Sequence, residues 1–200
     1  MIYPAETNIM KILVINNESA HTQELVHACR RNGKNEVDKI NWHEFQPRSA
    51  EGYDVVVLTG SSRYSVRTRR SIYTSQSELI LNSDIPIIGI CAGFELICDV
   101  FGTPLSRQRK VIEGVFPLVS NISTNFLKTN YEYHVFERHK IIVKNVNHPL
   151  LPIAYSNDNI AIVKHESKSI FGLQFHPEVR KLGNNGLTIF YAILDRIITP

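Results

Sequence analysis

The chain has 200 residues, of which 43% are hydrophobic and 20% are charged, a composition typical of one folded domain with its own core. The formal net charge of +3 comes from scattered basic residues, which does not indicate a nucleic-acid-binding protein. Three cysteines without a C-x-x-C pair argue against a disulfide scaffold, and no apolar run is long enough to span a membrane. We therefore expect a cytoplasmic protein with a single domain over residues 1–200, whose residues 1–9 can form a flexible extension.

The first half of the chain predicts alternating strands and helices. Three short apolar runs are typical of buried strands: residues 11–17, 53–60 and 85–90. Each is followed by a segment with helical spacing: residues 19–33, 68–84 and 92–102. In the first of these segments we expect Ser19 to cap the helix and Gly33 to end it. Strands that alternate with helices in this way predict a parallel sheet with helices on both faces.

The second half of the chain alternates between apolar and polar residues over shorter distances. Four segments predict antiparallel or mixed strands that extend the sheet: residues 110–120, 131–145, 159–167 and 169–175. Residues 183–198 predict a final amphipathic helix. No linker rich in Pro, Gly or Ser divides the chain, so we expect both halves to belong to one mixed α/β domain.

Cys91 lies between two glycines, in Gly89-Ile-Cys91-Ala-Gly93, where an apolar strand pattern changes into a helical one. This arrangement is typical of a nucleophile elbow, in which the tip residue has a strained backbone and small neighbours let strand and helix approach closely. The tip projects from the carboxyl end of a strand, where open sheets bind ligands, and the helix that follows favours the thiolate. Free cysteine is also often a small buried hydrophobe, and we expect this role for Cys29 and Cys98.

A nucleophilic cysteine needs a base and a group that orients the base. Among eight histidines, His176 stands out because it directly follows an apolar strand pattern, in Phe-Gly-Leu-Gln-Phe-His-Pro-Glu-Val. Pro177 keeps it extended, and the carboxylate of Glu178 can reach its imidazole. The alternative is a strand-end histidine beside a surface glutamate. Three other histidines are expected at the surface: His21, His27 and His43.

The two motifs together, Gly-Ile-Cys-Ala-Gly-Phe-Glu-Leu at Cys91 and Gly-Leu-Gln-Phe-His-Pro-Glu-Val at His176, resemble the class I (triad) glutamine amidotransferases. The resemblance covers nearly the whole chain, and its layout is similar to free-standing glutaminase subunits such as that of archaeal GMP synthases. It implies a flavodoxin-like open α/β sheet, mostly parallel, with helices on both faces and extra antiparallel strands in the C-terminal half. It also implies that Cys91 attacks the glutamine γ-carboxamide, that His176 moves the proton, and that Glu178 orients the imidazole. A γ-glutamyl thioester then forms and is hydrolysed.

The resemblance further implies backbone donors for the oxyanion, beside the nucleophile and in the loop after the second predicted strand: Ala92, Gly60 and Ser61. Relatives usually have Gly-Gly-Pro in this loop, so Ser61 is strained if the site needs a positive φ. Relatives also usually have Gln where this chain has Glu95. An amide donates and accepts hydrogen bonds, whereas an ionised carboxylate only accepts, and its charge opposes thiolate formation. His139 matches a family histidine near the substrate or the synthase-facing edge, and an exposed strand residue is an equally good interpretation.

Three functions stay open at this point. The first is a glutaminase that supplies ammonia to a separate synthase subunit. The second is a free-standing hydrolase of γ-glutamyl amides or peptides with the same triad, which Glu95 favours because a changed contact suggests a changed substrate. The third is a non-catalytic regulatory protein, against which the presence of all three triad residues argues. We expect no cofactor, metal, nucleic acid or membrane partner, since the sequence has no phosphate-binding glycine loop and no cluster with metal-ligand spacing.

Overall fold

The computed structural model describes residues 9–120, 122, 124, 126–128 and 131–197. Apart from Ile9, the extension expected at residues 1–9 lies outside the described residues. In these ranges, no helix is both long enough and apolar enough to cross a membrane.

Nine strands form one sheet in the described part of the chain: β1 (Met10–Asn16), β2 (Asn35–Asn41), β3 (Val55–Leu58), β4 (Ile87–Ile90), β5 (Ser106–Val119), β6 (Tyr133–Ile142), β7 (Leu150–Ser156), β8 (Asn159–His165) and β9 (Ile170–Leu173). Four α-helices lie against it: α1 (Thr22–Arg30), α2 (Thr74–Asn82), α3 (Ala92–Val100) and α4 (Gly186–Ile197). The order of strands across the sheet is β2-β1-β3-β4-β9-β8-β7-β5-β6.

The first five strands in this order, from β2 to β9, are parallel, which confirms the expected parallel sheet. Their order is that of flavodoxin-like folds. Apolar residues of α1 and α4 pack on one face of the sheet, and those of α2 and α3 pack on the other. Strands β3, β4 and β9 are therefore buried along their whole length, which explains why they are continuous apolar runs.

The remaining strands, β8, β7, β5 and β6, pair antiparallel, as expected for the C-terminal half. The sheet curls, so that its last strand, β6, returns toward the residues that follow β9. There the backbone N–H of His176 donates to the carbonyl of Phe136 at 2.8 Å, and that of Asn185 donates to His134 at 3.0 Å. This closure places β6 over the carboxyl ends of β4 and β9.

Three features differ from the sequence-based expectations. Strand β2 has no continuous apolar run, because it is a half-exposed edge strand of the sequence Asn-Glu-Val-Asp-Lys-Ile-Asn. Strand β7 was also missed; it contains Pro152 at a register irregularity of its pairing with β8, which weakens a strand pattern. The expected cap by the Ser19 side chain is wrong: α1 begins at Thr22, whose hydroxyl donates to the Ser19 carbonyl at 2.9 Å.

Candidate active site

Cys91 occupies the sharp turn between β4 and α3, with φ 51° and ψ −102°, a conformation that L-residues adopt only at a cost. Glycine is required at positions 89 and 93 because the backbone segments pack too closely there to leave room for a side chain. A Cβ on Gly89 would lie 2.5 Å from the backbone of Gly93, and a Cβ on Gly93 would lie 2.6 Å from the carbonyl oxygen of Leu58. The turn is held by the Cys91 N–H, which donates to the carbonyl of Leu173 at 2.8 Å. This is the geometry of a nucleophile elbow.

His176 and Glu178 form a buried pair directly behind the thiol. The Nδ1 atom of His176 lies 2.8 Å from Oε1 of Glu178, which leaves Nε2 for Cys91. The sulfur of Cys91 and the imidazole of His176 are close enough to shift each other's pKa. In this structure the thiol points toward the carbonyl oxygen of Arg138, which lies 4.0 Å from the sulfur. The structure therefore brings the three predicted triad residues together, and His176 with Glu178 is not a surface pair.

Burial and charge set the protonation of this pair. Burial raises the pKa of the Cys91 thiol, and it outweighs the neighbouring His176, which lowers it. Burial of the sulfur therefore opposes the thiolate that the helix end after Cys91 is expected to favour. Burial also lowers the pKa of His176, but the charges and hydrogen bonds of Cys91 and Glu178 raise it more, so that it lies well above its ordinary value. Cys91 and His176 therefore form one coupled pair, in which the charge of each group favours the charged form of the other.

The loop after β3 forms the second wall of the site. Gly60 lies against both reactive groups, since a Cβ there would be 3.2 Å from Cε1 of His176 and 3.4 Å from Cβ of Cys91. Ser61 is not among the described residues with positive φ, so the strain considered for it is absent. The backbone N–H groups of Ser61 and Ala92 donate to no other described residue, and both donors are free for a ligand.

Glu95 lies one helical turn after Cys91 and is buried. Burial raises its pKa to about 8, while a contact with Gln174, too loose for a well-formed hydrogen bond, and the charge of His176 lower it by less. Burial therefore favours the protonated carboxyl at neutral pH over the ionised one expected from the sequence. A protonated carboxyl has an O–H donor beside a carbonyl acceptor, so Glu95 can both donate and accept, as the glutamine of relatives does.

His139 is buried on β6, so its interpretation as an exposed strand residue is wrong. Its Nδ1 lies 2.7 Å from the carbonyl oxygen of Ile141, and its Nε2 lies 3.2 Å from Oε2 of Glu137. It lines the same cavity as Cys91 and Glu95. Because both ring nitrogens already face acceptors, a direct contact with substrate requires one of these bonds to break.

Two further groups lie at the site that the sequence did not predict. His21, expected at the surface, is half-buried, and its ring meets that of His176 edge to face with centroids 5.7 Å apart. Asn17 and Gln76 form a buried amide pair, with bonds of 3.0 and 2.8 Å, and the Asn17 N–H donates to the Thr59 hydroxyl at 2.8 Å. The amide pair ties the end of β1 to α2, and the bond to Thr59 ties the end of β1 to the end of β3. Their position in the sequence could have indicated a role at the site, because both His21 and Asn17 follow the carboxyl end of a parallel strand.

These features define an α/β protein with a cysteine–histidine–carboxylate triad at the carboxyl edge of a doubly wound sheet. The sequence model of the class-I glutamine amidotransferases matches residues 13–195. The chain belongs to this family.

Individual relatives agree with this assignment. Anthranilate synthase component 2 of Saccharolobus solfataricus is 32% identical over 124 residues, which are 58% of this chain and 63% of the relative. A glutamine-hydrolysing GMP synthase subunit of Methanosphaera stadtmanae is 38% identical over 117 residues, 54% of this chain and 60% of the relative. The matched region thus spans about three fifths of these relatives.

Solved structures share the fold across almost the whole chain. A protein from Thermoplasma acidophilum, described as a GMP synthase subunit, superposes with a TM-score of 0.83 at 22% identity, and the match covers 95% of this chain and 94% of that one. A glutamine amidotransferase from Thermotoga maritima gives a TM-score of 0.79 at 18% identity, with 96% and 99% covered. At these identities the similarity shows the fold.

Proposed function

We propose that this chain hydrolyses the γ-carboxamide of glutamine through a thioester on Cys91 and supplies the ammonia to a separate synthase subunit. The observation that carries the proposal is the buried contact between His176 Nδ1 and Glu178, 2.8 Å long, behind a cysteine held at a strained turn. A buried imidazole with an acceptor on one nitrogen and a thiol at the other is the arrangement that activates a nucleophile.

The chemistry follows from the proton positions. His176 takes the proton from the Cys91 thiol as the sulfur attacks the γ-carbonyl carbon, and Glu178 stabilises the imidazolium. The apo site needs only a reorientation of the thiol from the Arg138 carbonyl toward Nε2, which is common before substrate binds. The imidazolium then gives its proton to the departing ammonia, and a γ-glutamyl thioester is left. Water, deprotonated by His176, attacks the thioester and releases glutamate and the free thiol.

Two backbone donors and one side chain complete the proposed site. The N–H groups of Ala92 and Ser61, free in the structure, would hold the oxyanion of the tetrahedral intermediate, with Gly60 allowing the close approach. Loss of one such donor typically costs about 3 kcal/mol of barrier. Protonated Glu95 would bind the substrate in place of the usual glutamine.

The partner is proposed from the relatives. Two of them are named as parts of larger enzymes, anthranilate synthase and GMP synthase, and ammonia is useful only where an acceptor is at hand. A separate synthase chain is therefore the partner class that we propose. No nucleic-acid or membrane partner is needed for this reaction.

The experiment is a measurement of ammonia and glutamate released from glutamine by the purified chain, alone and with a candidate synthase. We expect release by the parent and by Cys98→Ala, which removes a buried thiol from the same helix, and none by Cys91→Ala. Equal release by the Cys91→Ala chain would contradict the proposal. No release by the parent in either setting would favour the non-catalytic regulatory interpretation.

A second candidate function is hydrolysis of other γ-glutamyl amides with the same triad. The substitution of Glu95 for the usual glutamine favours it, as does the cavity of about 400 Å³ beside Cys91. Such a volume lies within the range of roughly 300–1,000 Å³ that holds drug-sized ligands. The same assay with γ-glutamyl amides in place of glutamine tests it.

A further inference from the structure

The cavity beside the thiol is lined by five basic side chains: Arg63, Arg67, Arg107, Arg138 and Lys140. They come from two opposite walls. Two belong to the loop after β3, and three belong to β5 and β6, which the curled sheet brings over the elbow. Among the described residues that line the cavity, Glu95 is the single carboxyl group. Positive charge therefore flanks the site of the reaction on two sides, on side chains that are mostly exposed.

Nearby acids neutralise only part of this charge. Arg63 pairs with Glu18 at 3.1 Å, and Arg138 pairs with Glu113 at 3.6 Å. The other three basic side chains of the cavity form no ion pair with any residue that the structure describes: Arg67, Arg107 and Lys140. Glu95 adds little negative charge at neutral pH, because burial raises its pKa to about 8. The cavity thus keeps an excess of cations.

Free glutamine does not account for this excess. Its one carboxylate is balanced by its own ammonium group, so one cation suffices to bind it. Arginine is the side chain best suited to bind carboxylate or phosphate through two parallel hydrogen bonds. The cavity of about 400 Å³ also has room for a group beyond the γ-glutamyl moiety. Both charge and volume fit a substrate that carries a second acidic group.

We infer that, beyond glutamine, the site takes γ-glutamyl amides and prefers those whose amine portion bears a carboxylate or phosphate-like group. The inference rests on the thioester chemistry proposed above. The γ-carbonyl C–N bond breaks as the C–S bond to Cys91 forms, and the imidazolium proton of His176 passes to the leaving nitrogen. An acidic amine departs in place of ammonia, held until then by the unpaired cations. Water then cleaves the thioester to glutamate and regenerates the thiol.

The test compares three synthetic substrates that differ in the charge of the leaving amine: γ-glutamylglycine, γ-glutamyl-aminomethylphosphonate and neutral γ-glutamylglycinamide. We expect kcat/KM to be at least tenfold higher for one acidic substrate than for the neutral one, and the two acidic probes separate carboxylate from phosphate-like recognition. Replacing Arg107 and Lys140 together by Gln should reduce that ratio about tenfold. Arg109→Gln is the matched control, because Arg109 is exposed on the same strand but does not line the cavity. The ratio should also fall with added salt.

The outcomes separate the inference from the proposed function. If all three substrates are cleaved with similar kcat/KM and Cys91→Ala cleaves none, the inference is wrong and the thioester chemistry stands. Cleavage of glutamine but of none of the three amides also overturns the inference, and would assign the cations to an acidic surface of a partner. If glutamine and all three amides stay intact, or if Cys91→Ala remains active, the proposed function itself fails.

Discussion

Replacing Glu95 by Gln should stabilise the protein by an amount that grows with pH. The pKa of this carboxyl is raised from 4.5 to about 8 by burial. Below pH 4.5 the carboxyl is protonated in both the folded and the unfolded chain, so burial of its charge costs nothing. Between the two pKa values it ionises only after unfolding, so the free energy of unfolding falls as pH rises. Above about pH 8 the cost stays constant.

The magnitude follows from about 1.4 kcal/mol for each pKa unit. The full pKa shift corresponds to a loss of about 5 kcal/mol in the free energy of unfolding. Roughly 3 kcal/mol of this loss is present at pH 7 and about 1 kcal/mol at pH 5. Gln has nearly the same shape and does not titrate. The free energy of unfolding of Glu95→Gln should therefore exceed that of the parent by an increment that rises over this range.

The assay is urea unfolding of both chains at pH 5, 6, 7 and 8, with Glu78→Gln as the control, since Glu78 is exposed on the neighbouring helix. We expect the control to follow the parent at every pH. A difference between Glu95→Gln and the parent that does not change with pH would refute the argument that Glu95 is protonated in the folded protein.

Three other substitutions test the construction of the site. Gly93→Ala should lower the free energy of unfolding in urea by about 1–3 kcal/mol, because the new Cβ would lie 2.6 Å from the Leu58 carbonyl oxygen. This clash costs more than the gain of about 1 kcal/mol from the better helix propensity of alanine. A more stable variant would contradict this. Glu178→Gln should leave the fold intact and lower glutaminase kcat by up to about 10⁴-fold, since His176 loses its carboxylate; near-parent kcat would count against the triad. Gln76→Ala should cost about 1–3 kcal/mol by unpairing a buried amide, and a neutral effect would argue against it.

The parallel half of the fold could be predicted because its strands are buried on both faces and leave continuous apolar runs. Strand β2 lacked that signal, since at the sheet edge its residues are half-exposed. The order of β5 to β8 was also hidden, because antiparallel pairing depends on long-range register that no local pattern specifies.

Within the site, the elbow glycines and the Phe-His-Pro-Glu motif predicted the residues of the triad that we propose, since the steric needs of a tight turn are local. Two features required the three-dimensional structure. The protonation of Glu95 depends on burial by residues distant in sequence, and the contact of His21 with His176 depends on a separation of 155 residues, from position 176 to position 21.

The central claim is that Cys91 is the nucleophile and that His176 activates it. Labelling with an electrophilic glutamine analogue, followed by mass spectrometry of the digested chain, tests this directly. We expect a single adduct on Cys91, formed at least 100-fold more slowly in His176→Ala. Labelling of Cys29 or Cys98 in preference to Cys91, or an unchanged rate in His176→Ala, would contradict the claim.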